Sequence, residues 1–310
     1  MTTTDSTQGD RALATRHDDI EVVPLRHWGR WAAAAVVALL AASLMASLAR
    51  NPNLEWGTVG DYLFRDFVLR GVGVTIMLTV VAMLIGTVGG VVVAVMRLSA
   101  NPVLRAVASL YVWFFRGTPL LVQIIFWGFL AALYQRIQLG IPFTDLHVID
   151  VSTNAVVGPV VAAILALGLN EIAYAAEVVR GGILAVDRGQ DDASLALGLT
   201  KSQAMRTITL PQAMRVIVPP MGNETITMLK STALVAVIGG KDLLTAVQTV
   251  YSQNFKVMPL LVVAALWYLA LVSVLSVGQY FLERRFGRGH GPGGSQPGLA
   301  QRWLAGRKGA

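Results

Sequence analysis

The chain has no cysteine and little charge. Without cysteine in its 310 residues, neither a disulfide framework nor a thiolate metal site is open to it, and its four histidines show no ligand spacing. Charged residues make up 14% of the sequence against 55% hydrophobic ones, and the mean hydropathy is +0.60. That balance is too apolar for a soluble protein of this length and has the profile of a polytopic membrane protein. A nucleotide-binding G-x-x-x-x-G-K-[ST] loop is missing as well, since Gly198-Leu199-Thr200-Lys201-Ser202 lacks the leading glycine and the spacing. No nucleophile motif or paired His and carboxylate signature appears, so no catalytic residue, metal site or cofactor is assigned to this chain. The formal charge of +7 does not point to nucleic acid, because the basic residues gather in the tails and in alternate connections.

What is present is a succession of long apolar runs, which predicts an all-α membrane helical bundle. Residues 1–30 read as a disordered tail ending at the interfacial Trp28 and Trp31, and residues 31–49 form a first span. Ser47-Leu48-Ala49 resembles a signal-peptide cleavage site, but the apolar run is long for that. Further spans are expected at about 67–96, 103–134, 155–180, 216–238 and 260–282, with loops between them at 50–66, 136–154 and 241–259. The third run exceeds one crossing, and Arg116-Gly117-Thr118-Pro119 predicts a bend or break within it. A Gly/Pro/Gln-rich basic tail fills 287–310. Lys and Arg in the connections divide seventeen to five between the two faces, which places both tails in the cytoplasm.

One connection is unlike the others. Gly189-Gln190-Asp191-Asp192-Ala193-Ser194 leads through Gly198 to Ile208-Thr209-Leu210-Pro211, a polar stretch in a very apolar chain. Asp192 and Ala193 open a helix-compatible run, Gly198 supplies a turn at φ > 0, Thr200 or Ser202 caps a second helix, and Pro211 interrupts that one. Two short helices meeting at a protruding elbow suit docking in a groove of a soluble partner. The spacing of Asp192-Ala193-Ser194, Gly198, Ile208, Leu210 and Pro211 resembles the EAA loop of bacterial ABC importer permeases, with Asp192 in place of the family's Glu and Ser194 in place of its second Ala. Tyr111-x-x-Phe114-Phe115-Arg116-Gly117-Thr118-Pro119-Leu120-Leu121-Val122-Gln123 and the stretch from Asn223 to Leu234 are similar to spans of the polar amino acid permeases within that group.

The resemblance covers roughly 68–286 and implies a five-span permease core, here preceded by one extra N-terminal helix, in a bacterial cytoplasmic membrane. It implies that Gly189, Asp192, Ala193, Ser194, Gly198, Ile208, Leu210 and Pro211, in a coupling loop over 187–211, couple to a cytoplasmic ATPase dimer that binds the ATP and Mg. A second permease subunit, the same or a different chain, and an extracytoplasmic amino acid binding protein complete the implied assembly.

A charged residue such as Lys or Asp costs about 2.5–3.5 kcal/mol at the centre of a span, and the polar and charged residues inside the spans mark a candidate substrate pathway. These are Arg116; Asn170, Glu171, Tyr174 and Glu177 on the fourth span; and Asn223, Thr227 and Lys230 on the fifth. Asn170, Tyr174 and Glu177 fall on one helical face, as do Asn223, Thr227 and Lys230. Arg116 is suited to a substrate carboxylate, and Glu171 or Glu177 to an ammonium or guanidinium group. Structural ion pairs, Arg116 with Glu177 or Glu224 with Lys230, are the competing expectation. A passive channel or facilitator for small polar solutes is the alternative function.

Overall fold

The computed structural model describes residues 28–140 and 147–286, so both expected tails lie almost wholly outside the described residues. Of the described residues, those from Trp28 to Pro52 form a unit of their own. Its helix α1 (Trp28–Arg50) is 23 residues of mostly Ala, Val and Leu, long enough at about 35 Å to cross the hydrocarbon core, and none of it is buried.

The second unit begins at Asn53. Helix α2 (Trp56–Leu63) precedes α3 (Asp66–Leu98), α4 (Pro102–Gly117) and α5 (Leu120–Gly128). After single turns α6 (Leu130–Leu133) and, past the connection, α7 (Thr153–Val156) comes α8 (Pro159–Leu184). Short helices α9 (Arg188–Ala196) and α10 (Lys201–Ala204) lead into α11 (Leu210–Ser231), a 3-10 stretch at Thr232–Ile238, α12 (Leu243–Asn254) and α13 (Val257–Phe286). Among the described residues four helices are long and apolar enough to span, and two bent pairs raise the number to six.

Helices α3 and α8 form the central pair. Gly86, Gly90 and Ala94 on α3 face Glu171, Ala173, Ala175 and Ala176 on α8, and small residues at such a seam let two backbones approach closely. Three buried clusters are arranged along this pair: one with α2, α12 and α13, one with α5 and α11, and one with α4 and the first half of α11. Large apolar side chains such as Val88, Val92, Leu269 and Val274 point outward, as a lipid-facing surface requires.

Several expectations need correction. The stretch 136–154 is no simple loop: β1 (Arg136–Gly140) pairs antiparallel with β2 (His147–Ser152) and Arg136 bonds Asp150 at 2.6 Å, while residues 141–146 lie outside the described residues. Nor is 50–66 a loop, since α2 buries Val59 and joins α13, where Lys256 reaches Glu55 at 2.6 Å and Trp267 donates to the Leu63 carbonyl. The stretch 241–259 is helix α12, whose N-cap Asp242 accepts from the Leu244 and Thr245 amides and which buries Leu243 and Val247 against the core. Each was missed for one reason: five to twelve residues are too few for the periodicity that identifies a long helix.

Candidate coupling elbow and substrate pathway

The elbow is built from two helix caps placed back to back. The Asp187 side chain caps α9 by accepting from the Gly189 amide at 2.6 Å, so the helix starts at Arg188, before Asp192 and Ala193. It ends at Gly198, φ +79°, with the Gly198 amide bonded to the Leu195 carbonyl and the Leu199 amide to the Ser194 carbonyl. That is a Schellman closure, which needs the left-handed residue that glycine supplies. Only Leu199 intervenes before Thr200, whose hydroxyl caps Gln203 while the Gln203 side chain returns to the Thr200 amide at 2.9 Å.

Pro211 does not interrupt the second arm. A π-helical turn at Met205–Thr209 widens the backbone, the Leu210 amide reaches back to the Met205 carbonyl, and the Gln212 side chain donates to the Ile208 carbonyl at 3.2 Å. Pro211 then sits in the first turn of α11, where a missing amide proton costs nothing. The second arm therefore belongs to one helical path from Lys201 through the fifth span, and it is no short element. Ser194 and Thr209 are buried and Ile208 half-buried, whereas Asp192, Ala193, Gly198, Leu210 and Pro211 are exposed. The sequence reading passed over Leu195 and Leu197, which are 49% and 80% exposed on the elbow. Apolar residues flanking the turn of a polar protruding loop were the signal for them.

Within the spans, the break between α4 and α5 turns the chain by 97°. Pro119 and the turn leave carbonyls at Phe115 and Thr118 without helical partners. The Gln123 side chain donates to both, at 3.0 and 3.2 Å, and Asn170 of α8 adds a second bond to Phe115 at 3.1 Å and one to Gln123 at 3.2 Å. The structure thus places Asn170 as a brace on the break. Its face-mates lie elsewhere in the network: Tyr174 lies under the Arg116 guanidinium at 5.2 Å, and Glu177 is the shared acceptor of Arg97, Arg180 at 2.9 Å and Arg116 at 3.9 Å. Of the two expected ion pairs, Arg116 with Glu177 is present at that longer distance. Glu224 and Lys230 form no pair among the described residues, where Lys230 is exposed and Glu224 half-buried. Arg97 and Arg180 were not singled out because each lies near a span end, where a basic residue ordinarily marks the interface.

Glu171 is buried against Gly86, and its Oε1 has no hydrogen-bond partner among the described residues. Asn223, Thr227 and Lys230 form an exposed polar stripe along α11, apart from the Glu177 network.

A helical membrane bundle with a broken span, polar groups inside it and a capped, largely exposed elbow defines a transport-type membrane subunit. The model of the family described as "Binding-protein-dependent transport system inner membrane component" matches residues 86–288. The chain is 46% identical over 286 residues to the arginine transport system permease protein ArgU of Corynebacterium glutamicum, covering 92% of this chain and 89% of the relative. It is 34% identical to the probable amino-acid ABC transporter permease protein YckA of Bacillus subtilis, over 76% of this chain and 97% of the relative. Among solved structures, an amino acid ABC transporter crystallised with histidines matches at 34% identity and TM-score 0.61, covering 71% of this chain and 94% of that one. An inward-facing MetNI methionine ABC transporter, at 21% identity and TM-score 0.55, shares the fold. The chain belongs to the binding-protein-dependent transport inner-membrane family, the membrane-spanning permeases of ABC importers.

Proposed function

We propose that this permease carries a basic amino acid, arginine foremost, into the cytoplasm, driven by ATP hydrolysed on a separate ATPase dimer that grips the elbow. The substrate reading is supported by the 46% identity to an arginine permease, and the exposed or half-buried ionic groups Arg116, Glu224 and Lys230 suit a zwitterion with a charged side chain, while the Glu177 carboxylate is taken up by Arg97, Arg116 and Arg180. The ATP and Mg belong to the partner ATPase, a binding protein delivers the substrate from outside, and a second permease subunit closes the pathway along Asn223, Thr227 and Lys230. Both termini and the elbow lie in the cytoplasm by the distribution of basic residues.

The observation that carries the coupling role is the helical continuity from Lys201 into the fifth span. A displacement of the elbow is transmitted along that helix to the face bearing Asn223 and Thr227, which is the rigid-element behaviour that alternating access needs. Gly189, Asp192, Ala193, Ser194, Gly198, Ile208, Leu210 and Pro211 serve as the coupling residues, with Leu195 and Leu197 as apolar contacts.

Proteoliposomes containing this chain, its ATPase and a binding protein test the reading through ATP-driven uptake of labelled arginine. Gly198→Asp puts a side chain at φ +79° with open space around it, so the fold survives while the Schellman turn is strained and charged. Uptake is expected to fall at least about tenfold with insertion unchanged. Flux that is independent of ATP and untouched by the substitution would identify a passive facilitator instead.

A further inference from the structure

Between α3 and α11, from the elbow as far as Thr225, lies a cleft of about 1000 Å³, lined by Val80, Thr87 and Val95 on one side and Met214 and Thr225 on the other, with Arg206 at its end. A smaller cleft of about 240 Å³ shares Thr79, Val80 and Thr225 with it and continues toward α13. This space is distinct from the Glu177 network.

Three properties define its ligand. Besides Arg206 the polar side chains of the lining are three threonines, Thr79, Thr87 and Thr225, and the Thr79 and Thr225 hydroxyls donate to the Thr75 and Met221 carbonyls of their own helices at 2.8 and 3.0 Å. Apart from Arg206 at its end the lining holds no charged group, so the ammonium of a zwitterionic amino acid would find no charged partner there. The stretch of α3 from Thr79 to Val95 is about 24 Å long, close to half the full thickness of a bilayer with its headgroups. Arg206, finally, stands exposed on the π-helical turn with no ion pair among the described residues, at the end of the cleft that the distribution of basic residues assigns to the cytoplasmic leaflet.

We propose that this cleft is a specific site for an anionic phospholipid of the cytoplasmic leaflet, its acyl chain between α3 and α11 and its phosphate on Arg206. The proposal rests on the orientation given above and on no assumption about the transported solute. Charge complementarity selects this occupant over the chain's own first helix, whose sequence from Trp28 to Arg50 contains two arginines and no acidic residue to meet Arg206. Since the cleft wall includes Met205, Arg206 and Leu210, a lipid held there ties α3 to the root of the elbow.

The absence of cysteine makes the test direct. Full-length protein carrying a bimane label at Thr87→Cys, inside the cleft, or at Val92→Cys, exposed on α3 outside it, is placed in nanodiscs with brominated phosphatidylglycerol or brominated phosphatidylcholine. At Thr87→Cys, half-quenching is expected at about fivefold less phosphatidylglycerol than phosphatidylcholine, the preference one basic residue gives at an anionic surface. No preference is expected at Val92→Cys. Arg206→Gln should erase the preference, Arg206→Lys should keep it, and raised salt should weaken it in the unmodified cleft. Equal quenching by both lipids at Thr87→Cys would reduce the cleft to bulk lipid contact. Protection from both would mean that a protein segment, helix α1 or a second copy, fills it; either result overturns the proposal.

Discussion

Gly90 shows how little room the central helix pair leaves. A Cβ there would lie 2.6 Å from the Cβ of Ala175 and 3.0 Å from the amide nitrogen of Ala176, and neither neighbour has a flexible end that can give way. Gly90→Ala must therefore push α3 and α8 apart, at a cost of about 1–3 kcal/mol or more, whereas Gly73→Ala meets nothing within 4 Å. Thermal unfolding in detergent should separate the two variants, with Gly90→Ala lower. Glu177 is the other residue on which a small change has a long reach. Its carboxylate serves guanidiniums from α3, α4 and α8, and Glu177→Gln leaves three positive groups sharing a neutral amide. Its side chain is 20% exposed, so the loss should be about 2–3 kcal/mol, below the value for a fully buried pair. The same melting experiment reads this loss, and Glu177→Asp, which keeps the charge, should recover part of it.

At the scale of elements, one end of the bundle is fastened by the contact between α2 and the start of α13. Lys256 and Thr58 hold the Glu55 carboxyl below its ordinary value of 4.5, and Glu55 in turn holds Lys256 above 10.5. A depressed carboxyl contributes its stability above the ordinary value and loses it as pH falls through the depressed one; a raised ammonium contributes below 10.5 and loses it as pH rises beyond. The contribution of the clamp is thus constant across neutral pH and is lost only as pH falls through the depressed carboxyl value or rises through the raised ammonium value. Hydrogen exchange of α2 amides at pH 4 and pH 7 should show the acid opening, and Lys256→Gln should abolish the difference. The sequence made the long spans legible because twenty or more apolar residues leave no other structure possible in a bilayer. It made the elbow legible because Gly198 and Thr200 act through local backbone chemistry. The 97° turn after Gly117 was foreseen as a bend or break without its magnitude, since that depends on Gln123 and Asn170 capping freed carbonyls across helices. Pro211 misled for the converse reason: a π turn is invisible in sequence, and it converts a helix breaker into a first-turn residue.

For the whole molecule, the decisive property is which face of the bundle meets which compartment. The match to the Corynebacterium relative leaves too few residues unmatched to omit α1, while the family model begins only at residue 86. An added first span reverses the side on which the chain starts and leaves the permease core oriented as it would be without it, provided the start is cytoplasmic. Seventeen basic residues against five support that proposal, and the proposed cytoplasmic elbow depends on it. Because the chain has no cysteine, a single introduced thiol reports topology without background. Ser202→Cys lies exposed on the first turn of α10, and Gln253→Cys lies exposed at the end of α12, beside the α2 and α13 contact. In intact cells a membrane-impermeant maleimide should label Gln253→Cys and leave Ser202→Cys untouched, and permeabilisation should make both reactive. Labelling of Ser202→Cys from outside would invert the molecule, put the elbow beyond the reach of a cytoplasmic ATPase, and remove the cytoplasmic-leaflet lipid site together with the coupling role.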